Sequence, residues 1–303
     1  MSGSGLAPSL ESGTALLKLI RFSHTLFALP YAIVGALLGA AAHGGLSNVP
    51  WISLVLVVVC MVAARTAAMT FNRLVDRKFD ASNPRTRGRP SVTGEVPVRT
   101  MVFLIAVSTV VFVAASISLN PLCGKLSLIA LTVILGYSYM KRVSALCHLV
   151  LGGALGLAPI GAYLAVGGAW DGGTLGIIAL GAAVMAWTAG FDVIYSCQDV
   201  EHDRSLGLHS IPANWGISRA LVFARVFHAL VPLLLTMAAL LLDLGAVFHF
   251  GTFVVALLLI HEHRLVKPDD LSQVDRAFFN VNILISAVVL VTSLADLAFE
   301  GRL

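Results

Sequence analysis

Asn72, Asp76 and Asp80 stand four residues apart at the end of an apolar run that begins at Trp51. On an α-helix each such step turns about 40° around the axis, so the three side chains share one face. Oxygen donors gathered on one helix face make half of a site for a hard divalent cation. A second acidic stretch runs from Asp192 through Tyr195 and Asp199 to Asp203, about 120 residues later. Its acids are spaced i, i+7 and i+11, which predicts that they lie within roughly 40° of one another on a helix. Five of the chain's eleven aspartates fall in these two stretches. A single carboxylate at a helix end needs no explanation beyond solvation, but two same-face clusters do. When empty, two facing carboxylate groups repel each other. Mg²⁺ relieves that repulsion, and it prefers a few carboxylates together with water and substrate phosphates. Arg85, Arg89, Lys141 and Arg142 are suited to the phosphate oxygens that a metal leaves uncovered. Metal, diphosphate and an apolar helix bundle together point to a lipid diphosphate substrate.

Arg65 lies fourteen residues after Trp51, roughly 20 Å along the helix at 1.5 Å per residue. It precedes Asn72 by one heptad and so falls near the same face. A cation at that depth is costly and marks a functional site by default. The competing reading is a structural arginine whose long side chain reaches back to the interface.

The elements that must position these residues are membrane helices. The chain has 303 residues, 58% of them hydrophobic and 12% charged, and a mean hydropathy of +0.90. That is too apolar for a soluble globular domain. The expected fold class is an all-α, polytopic membrane bundle. Nine spans of about 20 residues are expected: 19–42, 51–72, 100–118, 122–140, 146–167, 174–197, 219–242, 245–262 and 277–298. Residues 1–15 read as a flexible cytoplasmic tail and 16–303 as one transmembrane domain. Spans 2 and 6 each end in an acidic motif followed by a basic polar loop, the pattern of a divergent repeat of helices 1–4 and 5–8. Such long polar loops tend to be functional lids.

Arg73, Arg77, Lys78, Arg85, Arg87, Arg89 and Arg99 crowd the loop after span 2, while the loops on the opposite side hold only Lys125. By the positive-inside rule both acidic motifs face the cytoplasm. The net charge of +4 is no nucleic-acid footprint, and no nucleic acid is expected as a partner. Cys60, Cys123, Cys147 and Cys197 have no metal-like spacing and read as reduced core residues.

The chain resembles the UbiA-type family of intramembrane aromatic prenyltransferases. The family's first motif, N-D-x-x-D-x-x-x-D, is matched by Asn72, Asp76 and Asp80, and the second, D-x-x-Y-x-x-x-D-x-x-x-D, by Asp192, Tyr195, Asp199 and Asp203. A K-R-T-x-x-R-P pattern is echoed from Pro84 through Arg85, Thr86 and Arg89 to Pro90, and Y-P-x-M-K-R from Tyr137 through Met140 and Lys141 to Arg142. An arginine seven residues before the asparagine is matched by Arg65. Two departures stand out: Arg73 replaces an aspartate that often follows the asparagine, and Ser138 replaces a proline.

The resemblance implies nine helices and Mg²⁺ held by Asn72, Asp76, Asp80, Asp199 and Asp203. It also implies transfer of a polyprenyl group from polyprenyl diphosphate to an aromatic acceptor. Diphosphate contacts would come from Arg65, Arg85, Arg89, Lys141 and Arg142, and acceptor contacts from Arg21 and Tyr139. Asp192, with Tyr195 one turn on, is the candidate for orienting the acceptor or taking its proton. A bacterial inner membrane is the expected location. The acceptor reads as 4-hydroxybenzoate. The alternative is a naphthoquinone-type precursor, because Asn72–Arg73, Asn83–Thr86 and Gly207–Pro212 look closer to a branch linked to menaquinone made through futalosine-type intermediates.

A secondary transporter with an acidic ion site is the rival from another class. Its acids would sit near the midplane, whereas these cluster at one interface beside phosphate-suited arginines. Three other features are set aside: His261–His263 as solvated loop, His202 as facing away from the ligands, and His24 as hydrogen-bonded core. The run Gly152–Gly156 reads as close helix packing, since no strand precedes it.

Overall fold

The computed structural model describes residues 14–16, 18–19, 25–167 and 169–303. Arg21, His24 and most of the expected tail therefore lie outside the described residues. The last two tail residues, Thr14 and Ala15, are helical, and Ala15 is buried beside Val96 and Met101.

Among the described residues, eight helices are long and apolar enough to cross a membrane, and a shorter apolar helix covers Phe27–Ala42. In chain order the main helices are α1 (Thr25–Ala42), α2 (Trp51–Val75), α3 (Val98–Leu119), α4 (Pro121–Met140) and α5 (Cys147–Gly167). They continue with α6 (Thr174–Ser196), α7 (Ile217–Leu242), α8 (Ala246–Leu265) and α9 (Asn282–Phe299). The protein is an all-helical integral membrane protein, and among the described residues the helix bounds lie within a few residues of the expected spans, residues 20–24 of the first span falling outside them.

Local chemistry sets the turns. Asn120 caps α4 by accepting from Cys123 N at 2.8 Å, with Pro121 at the first helical position, and its amide also donates to the Leu164 carbonyl at 2.9 Å. One residue thus starts a helix and ties it to α5. Asp243 closes α7 in the left-handed region, at φ 55°. Asp296 of α9 accepts from Gly245 N (2.7 Å), Val247 N (3.1 Å) and Phe248 N (3.1 Å), satisfying donors at the start of α8 that have no intrahelical partner.

The helix carrying the second motif is the centre of the bundle. Some 78% of the apolar stretch of α6 and its continuation is buried inside the protein, so α6 is covered all round by other helices. Small residues make this possible. A Cβ at Gly152 would collide with the Met185 carbonyl oxygen, and one at Gly156 with that of Gly181. The glycine run is helix packing, as its context predicts.

Two expectations need correction. The acidic motifs do not lie on unbroken helices. α2 stops at Val75, Asp76 sits at the break (φ −87°, ψ 2°), and a short helix resumes over Arg77–Ser82. α6 tightens into a 3₁₀ turn at Cys197–Asp199 before a short helix over Val200–Ser205. The ideal 3.6-residue period therefore does not carry across either motif.

The second correction concerns Glu262 and His263, since His261 is exposed as expected. α8 runs on to Leu265 and turns Glu262 inward, where it is fully buried and accepts from Asn282 Nδ2 at 3.4 Å. His263 Nε2 lies 3.0 Å from His228 Nδ1, and His228 Nε2 donates to the Trp187 carbonyl at 3.2 Å. This polar chain binds α6, α7, α8 and α9 together. It was invisible in sequence because its members come from four helices.

The packing at Gly156 is directly testable. Gly156→Val should destabilise the protein by about 1–3 kcal/mol through overpacking against α6. Gly136→Ala, whose Cβ meets nothing within 4 Å, should leave the melting temperature in detergent unchanged or slightly raised. An unchanged melting temperature for Gly156→Val would contradict the close approach of α5 and α6.

Candidate active site

Both acidic motifs emerge at one end of the bundle and line a single polar cavity with the basic residues around them. Asn72, Asp76, Asp80, Asp192, Tyr195, Asp199 and Asp203 all face it, as do Arg65, Arg85, Arg89, Lys141 and Arg142. The segments after α2 and α6 hold each other across the cavity. Asn83 Nδ2 donates to Asp199 Oδ1 at 2.9 Å. Arg85 pairs with Asp199, with Nε 3.0 Å from Oδ1, and its Nη1 donates to the Tyr195 hydroxyl at 2.8 Å. His202 Nε2 lies 3.3 Å from the Phe79 carbonyl oxygen. His202 therefore lines the cavity and does not face away, because the 3₁₀ turn at Cys197–Asp199 rotates the residues that follow it.

Every carboxylate here has a basic partner. Arg142 Nη2 is 3.0 Å from Asp76 Oδ1, and its guanidinium lies over the Phe79 and Tyr139 rings at 4.9 and 5.0 Å. Arg89 Nη1 reaches both oxygens of Asp80, at 2.6 and 2.7 Å. Lys141 Nζ is 3.4 Å from Asp203 Oδ2, to which Ser210 Oγ also donates at 3.1 Å. His148 Nδ1 is 2.7 Å from Asp192 Oδ2.

Partial burial sets the balance of charge. Burial, then the nearby Asp80 charge, push the Asp76 carboxyl above the usual range, against the opposing pull of Arg142 and Lys141. Burial works against the Lys141 ammonium, but Asp203 and Asp192 outweigh it and hold the group charged. Burial likewise opposes the Arg85 charge, and Asp199 overrides it.

The acids match Mg²⁺ in chemistry. All are hard oxygen donors, and they stand on two walls of one cavity. Among the described residues no three His, Cys, Asp or Glu side chains converge tightly enough to cage an ion by themselves. That arrangement fits an ion which keeps waters and takes the rest of its shell from substrate phosphate.

Several residues in or behind the cavity wall carried little or no signal in the sequence. Arg73, the departure from the family motif, is 6% exposed. It donates to Asn72 Oδ1 at 3.3 Å and lies 4.0 Å from Asp80 Oδ2, adding a cation where the motif often has an acid. Asn83 entered only through the Asn83–Thr86 pattern, and His148, which lies behind Asp192, gave no signal. Ser210 did, as a cap one residue before a proline-containing helix, Ile211–Trp215. Tyr139 does not line the cavity. It is 45% exposed and packs on Phe71 and beneath Arg142.

An aromatic wall closes one side. Phe278, on a π-helical turn over Ala277–Val281, meets Tyr195 with ring centroids 4.4 Å apart and Phe191 at 5.3 Å. Beyond the polar cavity, an apolar one runs between α2, α3, α4 and α5. Arg65, Met69, Tyr137, Leu151 and Leu155 line both. The apolar cavity extends from Met69 to Val57 along α2 and from Tyr137 to Cys123 along α4, about 18–21 Å at the helical rise.

Known proteins share this sequence and architecture. The chain is 31% identical over 243 residues to the 4-hydroxybenzoate octaprenyltransferase of Aeromonas salmonicida, covering 80% of this chain and 81% of that one. It is 32% identical over 238 residues to the enzyme of that name from Azotobacter vinelandii, covering 76% and 77%. The apo structure of a UbiA homologue from Aeropyrum pernix superposes with a TM-score of 0.80 at 33% identity, over 90% of this chain and 98% of that one. A UbiA homologue from Archaeoglobus fulgidus bound to GPP and Mg²⁺ shares the fold, with a TM-score of 0.73 at 20% identity, over 94% and 99% of the two chains. The UbiA prenyltransferase family model matches residues 28–284, so the chain belongs to that family and is a prenyltransferase.

Proposed function

We propose that the protein transfers a polyprenyl group from polyprenyl diphosphate to 4-hydroxybenzoate, at the cytoplasmic end of the bundle. The observation that carries this reading is the continuity of the two cavities through Arg65, Met69, Tyr137, Leu151 and Leu155. One end suits a diphosphate and the other an isoprenoid chain. The relatives' printed name supplies the acceptor. Family membership leaves no ground for the transporter reading. The naphthoquinone-type acceptor remains the outcome to exclude in an acceptor panel with each polyprenyl diphosphate.

In this reading Asn72, Asp76, Asp80, Asp199 and Asp203 would hold Mg²⁺, in keeping with the Archaeoglobus homologue bound to GPP and Mg²⁺. When bound, the metal neutralises charge that develops on the departing diphosphate. Arg85, Arg89, Lys141 and Arg142 meet the remaining phosphate oxygens, exchanging their carboxylate partners for phosphate. The Tyr195–Phe278 wall and the apolar helix faces exclude water that would quench an allylic cation. Asp192, 23% exposed at the cavity, orients the acceptor or takes the ring proton after carbon–carbon bond formation.

Asp76→Ala and Asp199→Ala each remove a ligand from a different wall. Each should cut kcat/KM more than about 100-fold, because lost metal charge stabilisation is worth several kcal/mol and each ~1.4 kcal/mol is tenfold. Both variants should still insert and fold. Retention of a tenth of the activity in either variant would rule out a two-walled site.

Pyrophosphate release should require Mg²⁺ or Mn²⁺, with Ca²⁺ a poor substitute, because the small octahedral ion suits a few carboxylates plus phosphate. Full turnover in excess EDTA would refute this.

Arg65 stands where the two cavities meet, and we assign it to the diphosphate. Arg65→Lys keeps the charge and loses the planar fork, so KM for the prenyl diphosphate should rise while that for the acceptor holds. A rise in the acceptor's KM alone would move Arg65 to the acceptor carboxylate. If both constants hold and only the melting temperature changes, the arginine is structural.

A further inference from the structure

We propose that His148 is a positioning residue for Asp192, fixing which carboxylate oxygen faces the reacting acceptor and tying it to the loop on the diphosphate side. This rests on the reading of Asp192 given above. His148 is fully buried and does not itself line the cavity. The Ile211 backbone N–H can only donate, and it points at His148 Nε2 at 3.2 Å. Nε2 therefore carries the lone pair and the ring proton sits on Nδ1. Nδ1 is 2.7 Å from Asp192 Oδ2, so the imidazole donates to the carboxylate. Oδ2 is held in place and Oδ1 is left for the cavity.

The same geometry rules out a relay. To take a proton from Asp192, His148 would have to free Nε2 from Ile211. The bond to Ile211 instead links Asp192 to the helix Ile211–Trp215. Its cap, Ser210, donates to Asp203 Oδ2, and the preceding His209 N donates to the Lys141 carbonyl at 2.6 Å. His148 is thus where the diphosphate-side loop meets the acceptor-side carboxylate. Partners that orient a functional side chain in this way are typically worth 10–100-fold when removed.

The test compares His148→Gln, His148→Phe, Asp192→Asn and the double variant Asp192→Asn/His148→Phe, each assayed by initial rates with both substrates varied in turn. Gln supplies one N–H donor and one carbonyl acceptor, and should keep kcat within about tenfold of the parent. Phe supplies neither and should lose about 100-fold in kcat with the prenyl diphosphate KM unchanged. The double variant should be no slower than Asp192→Asn alone, because the effect of His148 runs through Asp192.

Gln as inactive as Phe would overturn the proposal in favour of proton transfer by the imidazole. Additive losses in the double variant would make His148 independent of Asp192 and overturn it too. So would a lowered melting temperature with kcat intact in His148→Phe, which marks a purely structural role. If His148→Phe fails to insert, the Gln variant decides alone: retained kcat supports positioning and lost kcat ends it. Full kcat in Asp192→Asn would remove the underlying reading of Asp192, and the inference with it, whatever the His148 variants do.

Discussion

The structure depends on compensating five carboxylates at the mouth of an apolar bundle. Desolvating a carboxylate is costly unless it is paired and hydrogen-bonded. Asp76, Asp80, Asp192, Asp199 and Asp203 each have a basic partner, and four of these pairs join residues more than 40 apart in sequence. Compensation and assembly are therefore one event. The pairs of Arg85 with Asp199 and Lys141 with Asp203 close the ends of α2, α4 and α6 around one space. At Asp76 burial and the neighbouring Asp80 charge outweigh Arg142 and Lys141, so its carboxyl stays raised.

The scaffold meets a second demand, which is to hold α6 at the heart of the bundle. Glycines bring α5 within backbone contact of α6. Asn282 accepts from the Trp187 indole at 2.5 Å and donates to the Phe278 carbonyl at 3.0 Å, and so anchors the π-helical turn that presents Phe278 to the cavity. π-helical turns recur at functional sites because they re-aim a side chain without breaking the helix. Here the turn supplies the wall against Tyr195. The buried Glu262 and His228, with the half-buried His263, complete the clamp on the far side of α6.

The all-helical class, the helix positions and the two acidic motifs were legible in the sequence. Twenty-residue apolar runs separated by Asn–Pro, Gly–Gly and Asp–Leu–Gly punctuation leave few other folds in a bilayer. Motif spacing was enough to bring Asp76, Asp80, Asp199 and Asp203 to one end of the bundle, and basic residues placed beside them were correctly read as neighbours. These are local or one-dimensional properties, written in period and order.

Tertiary structure alone decided the rest. Whether His148 meets Asp192, whether Glu262 turns inward, and whether Arg73 faces Asp80 depend on how neighbouring helices are rotated about their axes. In a bundle that is apolar on every face, the sequence gives little sign of that rotation, because lipid and protein interior look alike to a leucine. The breaks at Asp76 and Asp199 had the same origin. Nothing in the spacing marks them, yet the change in backbone conformation at each determines which side of the helix His202 and its neighbours present. Charge and apolar length were fixed by the chain itself, and the pairing of each charge by the rotation of the helices that carry it.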